Sequence, residues 1–387
     1  MLELDRRRRQ LIPQVEGLKA EQNEASGAIA AAKRAGDPAE GAITRMRSVA
    51  ARAKALGEEL SGVDAELEQA LAALPNLPDP TAAPEDDVLR EVGDAGRTGR
   101  DHLDLAGTCV DMERGARLSG SRFAYLRGDL VFLELALVQW TLRKLSALGF
   151  EPVIPPVLVR EEGLFGTGFL PDTEQQIYHL PEDDLYLAGT SEVALASMHA
   201  GEVLDEDALP LRYAGFSPCF RREAGAAGRD QRGIFRVHQF DKVEMFCFVR
   251  PEESPEWHER LLAIEEEILT ELGIPYRVVN IGVGDLGASA AKKYDCEAWL
   301  PGQGRYRELT STSNTTDFQA RRLNVRFRPA GGGKPVVLHT LNGTAVAVGR
   351  TLIALLENGQ RDDGSVALPE VLGPFGAPAE LAAAPRG

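Results

Sequence analysis

Two long stretches of helix-period apolar residues at the start of the chain restrict its fold more than any other feature. Leu4, Leu11, Val15, Leu18, Ala25, Ile29 and Ala32 recur at spacings built from threes and fours. Met46, Val49, Ala53, Leu56, Leu60, Val63, Leu67, Ala70 and Leu74 do the same. Such spacing lines one side of a helix, so each stretch has a seam to bury. Gly36-Asp37-Pro38 between them is a turn signal. The economical fold is an antiparallel coiled-coil hairpin whose helices, about 30 residues each, reach some 45 Å. Pro13 is expected to kink or fray the first helix, because it has no N–H to give and its ring crowds the preceding turn.

Charge is unevenly placed. The chain has a formal net charge of −16, which excludes indiscriminate coating of nucleic acid, since that requires neutralising many phosphates. Around the predicted hairpin turn, however, lie Lys33, Arg34, Arg45, Arg47, Arg52 and Lys54 against only Asp37 and Glu40. A long arm with a basic end suits an RNA backbone; it also suits a plain solvated coiled-coil surface.

The arm closes at Pro75-Asn76-Leu77-Pro78, and an acidic, Pro-containing connector follows to about Asp94. Beyond it the pattern becomes one amphipathic helix near Asp129 to Leu148. Short strand-like runs then follow at Tyr213–Phe220, Val243–Val249, Tyr276–Ile281 and Val336–Leu341. Runs of this kind with Gly-rich turns predict a largely antiparallel sheet flanked by helices, an α+β class. The expected division is an arm over 1–78, a linker over 79–118 and a catalytic unit over 119–387. At 387 residues more than one structural unit is required. Cys109, Cys219, Cys247 and Cys296 are too scattered for a zinc knuckle and are expected to be buried small hydrophobes. No run is long and apolar enough for a membrane span, and no signal core follows Met1, so a cytoplasmic protein is expected.

One segment invites chemistry. Cys219 to Glu244 joins a strand end, a small-residue loop, arginines at both edges, a returning strand and a terminal carboxylate. Arginine offers a fixed fork of donors to phosphate oxygens. With Arg221 on one strand and Arg236 and Phe240 on the other, such a hairpin could clamp a polyphosphate and stack a purine. On spacing alone it could equally be an exposed charged hairpin. His238 within it has no nucleophile beside it and reads as a structural hydrogen-bonding residue.

Four blocks, FRREAGAAGRDQRGIFRVHQFDKVE, AGTSEVAL, RELTSTSNTTDFQARR and LNGTAVAVGRTLIALLEN, resemble in order and spacing the active-site segments of bacterial seryl-tRNA synthetases. The similarity runs over nearly the whole chain. It implies a class II catalytic domain with ATP, L-serine and tRNA(Ser) as substrates, and tRNA(Sec) as a second acceptor. Carried over, Arg221 would meet the ATP α-phosphate and the reacting carboxylate, Arg236 another phosphate and Arg350 the γ-phosphate. Glu223 would hold the adenine amino group, Val237 would contact base or ribose through its backbone, and Phe240 would stack on adenine. Arg222, Leu309 and Thr310 complete the implied ATP site, and Glu308 with Ser311 takes the Mg2+ positions.

For serine, the resemblance implies Glu244 and Thr344 on the hydroxyl, Thr190, Ser191 and Glu192 in the loop that meets the amino group, and Arg221 and Asn342 nearby. A site built to bond a hydroxyl rejects alanine because its own buried groups would be left unpaired. Gly128 to Val159 looks like the family's dimer-forming element and implies a homodimer; Pro within that run points to an edge strand. Family members usually carry a further short helical segment before the arm, so the packing of residues 1–15 is expected to differ. Rival expectations are a duplicated homologue that activates serine for a carrier protein and a catalytically inactive RNA-binding relative.

Overall fold

The computed structural model describes residues 1–36, 38–171, 176–224 and 232–383. It divides into two compact units, Met1–Pro75 and Asn76–Gly387.

The smaller unit is a pair of helices, α1 (Leu2–Ala35) and α2 (Glu40–Ala72). Leu11, Val15 and Ile29 of α1 and Val49 and Leu67 of α2 are buried at the seam. Arg7 pairs with Glu59, Arg8 with Asp64 at 2.7 Å and Arg45 with Glu21 at 2.9 Å. The start of α1 thus meets the later half of α2, while Glu21, further along α1, meets Arg45 near the start of α2, which is the signature of antiparallel packing. Helix α1 runs through Pro13 without ending there. Gly36 closes it in the left-handed region (φ 78°), donating its N–H to Ala32 O, a conformation glycine adopts freely. Asp37 of the turn signal lies outside the described residues.

The larger unit is built on an eight-stranded sheet. In chain order its strands are β1 (Asp87–Val92), β2 (Glu151–Val153), β3 (Leu211–Phe220), β4 (Gln239–Val249), β5 (Tyr276–Asn280), β6 (Lys292–Leu300), β7 (Arg305–Thr316) and β8 (His339–Ala347). Their spatial order is β1-β5-β6-β7-β8-β4-β3-β2. Only the β2–β3 pair is parallel, so the fold is α+β on an antiparallel sheet. The stretch 79–118, expected as a linker, contributes β1 at one edge of this sheet and also holds the short helix α3 (His102–Ala106). β2, with Pro152 in it, is the opposite edge, where a missing N–H costs no ladder bond.

Three helices cover one face of the sheet: α4 (Asp129–Ala147), α5 (Ser254–Glu271) and α6 (Val348–Asn358). Val243, Met245, Cys247 and Val249 of β4 pack with Leu133 and Leu137 of α4, Leu261 and Ile268 of α5 and Leu352 of α6. Strand alternation then sends Phe240, Lys242 and Glu244 to the other face. Cys219, Cys247 and Cys296 are buried as expected, whereas Cys109 is half-buried. Among the described residues no helix is long and apolar enough to cross a membrane.

Candidate active site

A cavity opens on the sheet face turned away from α4 to α6, and the alternating residues of β4, β7 and β8 form its floor. Glu244 of β4 lies directly opposite Thr344 of β8 in the strand register. Ser313 of β7 lies opposite Asn342 of β8. Adjacent antiparallel strands with side chains on one face are the simplest way to bring such distant sequence positions together.

One end of the cavity is rich in guanidinium groups. Arg221 leaves β3 and donates from Nε to Gly189 O at 3.2 Å. Its guanidinium also stands 5.3 Å from the centre of the Phe240 ring. Arg236 is ion-paired with Glu223, whose left-handed backbone (φ 50°) is unusual for a residue with a side chain. Arg350, on the first turn of α6, donates to Glu308 O at 3.0 Å and faces its carboxylate at 3.5 Å. The Phe235 ring lies 4.7 Å from the Arg350 guanidinium and 3.8 Å from that of Arg307. Burial pulls the Arg350 pKa down, and so do Arg221 and Arg236, against the opposing pull of Glu308. Three such cations converging on one space favour an anionic occupant.

Glu308 and Ser311 both line this cavity, although three residues apart on a regular strand they would face opposite ways. The β6–β7 register supplies the reason: Cys296 faces Thr310 and Glu297 faces Glu308, so Leu309 is taken up in a bulge. Burial would raise the Glu308 pKa, but Arg350, Lys293 and Arg221 outweigh it and hold the carboxyl below its usual range. The Glu308 side chain is 47% exposed, so a cation can reach it. One ionised carboxylate and one hydroxyl, with water and phosphate oxygens, are a fitting ligand set for Mg2+.

The floor is small and polar. Thr190, Glu192, Lys242, Glu244, Asn342 and Thr344 are all buried. Glu192 Oε1 accepts from Gln319 Nε2 at 2.7 Å and from Asn342 Nδ2 at 2.8 Å. Lys242 pairs with Glu244 and donates to Thr190 Oγ1 at 2.7 Å. Burial and the nearby Glu244 push the Glu192 carboxyl up to about 7, against the opposing pull of Lys242, Gln319 and Arg221.

Residues 1–78 match the model of the seryl-tRNA synthetase N-terminal domain, and residues 177–359 match that of the class II tRNA synthetase core domain (G, H, P, S and T). The serine–tRNA ligase of Thermobifida fusca is 50% identical over 384 residues, 97% of this chain and 90% of its own. The chain belongs to the seryl-tRNA synthetase family. That of Acidothermus cellulolyticus is 51% identical over 380 residues, covering 96% and 90% of the two chains. Among solved structures, the seryl-tRNA synthetase of Pyrococcus horikoshii complexed with ATP superposes with a TM-score of 0.92 at 42% identity, over 99% of this chain and 93% of that one. The cytoplasmic serine–tRNA ligase of Naegleria fowleri in complex with AMP gives 0.84 at 33% identity, over 98% and 90%.

Not every residue singled out in this synthetase sequence faces the cavity. Val237 and Phe240 do, but Arg222 and Ser191 are not among its lining residues. The Arg222 N–H donates to Gln176 O at 2.8 Å. Ser191 is buried, with its hydroxyl beneath Gly215. Leu309 packs its side chain into the core, and Thr310 Oγ1 donates away from the cavity to Glu265 Oε2 at 2.7 Å. Both still border the cavity, leaving their backbone as the part within reach of a ligand. His238 is a structural residue: its Nδ1 is 2.8 Å from Arg221 O. The loop over 225–231 lies outside the described residues. Sequence reasoning passed over Lys242, Lys293 and Phe235, all of which line the cavity; a lysine two residues before Glu244 on one strand was the available signal for the first.

Proposed function

We propose that this chain is a serine–tRNA ligase. It activates L-serine with ATP, giving seryl-adenylate and pyrophosphate, and then esterifies the 3′ end of tRNA(Ser), and of tRNA(Sec), with serine. The observation that carries this reading is the meeting of three arginines, Arg221, Arg236 and Arg350, with a buried floor of Glu192, Glu244 and Thr344. The first set suits a polyphosphate and the second a small substrate with an ammonium and a hydroxyl.

In the first step a serine carboxylate oxygen bonds to the α-phosphorus as the bond from that phosphorus to the bridging oxygen breaks, and pyrophosphate leaves with the electron pair. Arg221 holds the α-phosphate and the carboxylate together, Arg236 takes a further phosphate oxygen and Arg350 the γ-phosphate. Glu223 accepts from the adenine amino group, Phe240 stacks on the base, and Val237 meets it through the backbone. Catalysis rests on positioning and on cations placed where negative charge develops. Glu308 and Ser311 would hold Mg2+, which supplies charge neutralisation of the phosphates. In the second step the terminal ribose 3′-OH attacks the seryl carbonyl and AMP departs.

Glu244 and Thr344 read the serine hydroxyl, and Glu192 with Thr190 and Asn342 receives the ammonium. Residues 1–78 serve as the tRNA-binding arm and the remainder as the catalytic domain, with β1 and α3 from the stretch 79–118 built into it. Phe132 and Leu135, each 58% exposed on α4, and Ile154, 82% exposed just after β2, are the apolar surface expected of a homodimer in the cytoplasm. The test is ATP–pyrophosphate exchange with serine, alanine and threonine in parallel, followed by charging of unfractionated tRNA. Exchange driven by serine alone, followed by charging, is the expected result. Exchange without charging indicates a carrier-protein ligase instead.

A further inference from the structure

His102, the first residue of α3, is 4% exposed and lies outside the cavity, yet it is bonded to two elements that form the cavity wall. The backbone N–H of Ile234 donates to its Nε2 at 3.3 Å. Nε2 therefore carries no hydrogen, and the ring proton of the neutral imidazole sits on Nδ1. Nδ1 faces Glu357 Oε1 at 3.3 Å. Glu357 is fully buried on α6 and also accepts the backbone N–H of His102 at 3.2 Å and that of Gly302 at 2.8 Å.

Both ends of this link lead to the guanidinium end of the cavity. Glu357 lies two helical turns beyond Arg350 on the same face of α6. Ile234 precedes Phe235, whose ring lies beneath the guanidinium of Arg350. The packing around the ring is close: Gly233 has φ 78°, and a side chain there would run into His102. The same turn of α3 holds Arg232 through Asp101 at 3.0 Å and Asp104 at 2.9 Å. Besides the packing of Ile234 beside Gly349 and among the core residues of α6, segment 232–235 is thus tied to that helix by hydrogen bonds through the His102 imidazole and its flanking carboxylates.

We propose that His102 is a positioning residue for the end of the nucleotide site that holds the β- and γ-phosphates: by accepting the Ile234 N–H and donating to Glu357, it sets the Phe235 shelf under Arg350. This rests on the reading of Arg350 as a phosphate contact. It separates from a merely structural role through the difference between nucleotides, since an arginine out of place costs binding only where the phosphates beyond the first are present. Losing one buried hydrogen bond, with its N–H left unpaired, corresponds to about a tenfold effect.

The test is equilibrium binding of ATP and of AMP by calorimetry to the full chain and its variants, with melting temperatures alongside. Serine activity is not needed, so a failed serine reading and a failed positioning role give different results. In H102N the amide falls at the Nδ1 position and cannot reach Ile234; ATP affinity should fall about tenfold while AMP affinity stays within about twofold. In H102Q the amide oxygen reaches the Nε2 position, and ATP affinity should return to within about threefold of the parent. F235L removes the shelf without touching the buried pair and should reproduce the loss for ATP, which keeps the test decisive should H102N not fold. Equal losses for ATP and AMP, unchanged ATP affinity in a folded H102N, or unchanged ATP affinity in F235L would each overturn the proposal.

Discussion

Asn342 on β8 donates its side-chain amide to Glu192 Oε1 at 2.8 Å, and Gln319 donates to the same oxygen at 2.7 Å. Glu192 lines the cavity beside these two donors. With its carboxyl pushed up to about 7 by burial and by Glu244, Glu192 is neutral in the empty site at acidic pH and ionised at basic pH. An ammonium bound beside it favours the ionised form. The KM for serine should therefore rise as pH falls below about 7, approaching tenfold per pH unit, while the KM for ATP stays flat. Glu192→Gln should raise the serine KM and remove this dependence; a pH-independent serine KM in the parent would contradict the assignment.

The same group shapes stability, with the opposite sign from a salt-bridged carboxylate. A carboxyl whose folded pKa lies above its unfolded value stabilises fully below the unfolded value and loses that contribution as pH rises through about 7. Ligand-free Glu192→Gln should thus match the parent near pH 5 and exceed it by about 1–3 kcal/mol near pH 8. Denaturant titrations at the two pH values measure it.

Lys242 pairs with Glu244 while its ammonium also bonds Thr190. Removing one member of a buried pair strands the other charge, at a cost of about 3–5 kcal/mol. Lys242→Met should lower the melting temperature by several degrees and weaken serine binding at least about tenfold, leaving AMP binding intact. Calorimetry with each ligand checks it.

Because the bulge at Leu309 turns Glu308 and Ser311 into one cavity, Glu308→Gln should shift the Mg2+ concentration for half-maximal exchange upward by about tenfold or more, and Ser311→Ala by less. Glu308 is held ionised by Arg350, Lys293 and Arg221, so its contribution should not titrate between about pH 5 and 9.

Phe132→Asp combined with Leu135→Asp places two carboxylates on the exposed apolar face of α4. Light scattering should give a monomer for this variant and a dimer for the parent at the same micromolar concentration.

How much of this was legible in the sequence depended on whether a signal was local. The helical seams at Leu11, Val15, Ile29, Val49 and Leu67 and the long strands β3 and β4 follow from period, which a linear reading captures. β1 escaped because Asp87–Val92 is short, charged and at a sheet edge, where no buried face imposes alternation. Lys242 escaped because its significance lies in Thr190, far away in sequence. Arg222 and Ser191 were implied by the resemblance alone; neither lines the cavity, the Arg222 N–H being bonded to Gln176 O and Ser191 being buried beneath Gly215. That Glu308 and Ser311 could share a site was implied only by resemblance; the bulge that permits it is a register event between two strands, invisible along one.

The most direct test separates the two units. Arg221→Ala and the triple variant Arg45→Ala, Arg47→Ala, Arg52→Ala are compared in serine-dependent ATP–pyrophosphate exchange and in charging of tRNA. Arg221→Ala should abolish exchange, and the arm variant should spare exchange while charging falls about tenfold or more, as expected from losing several phosphate contacts. Equal loss in both assays for the arm variant, or exchange that survives Arg221→Ala, would contradict the account.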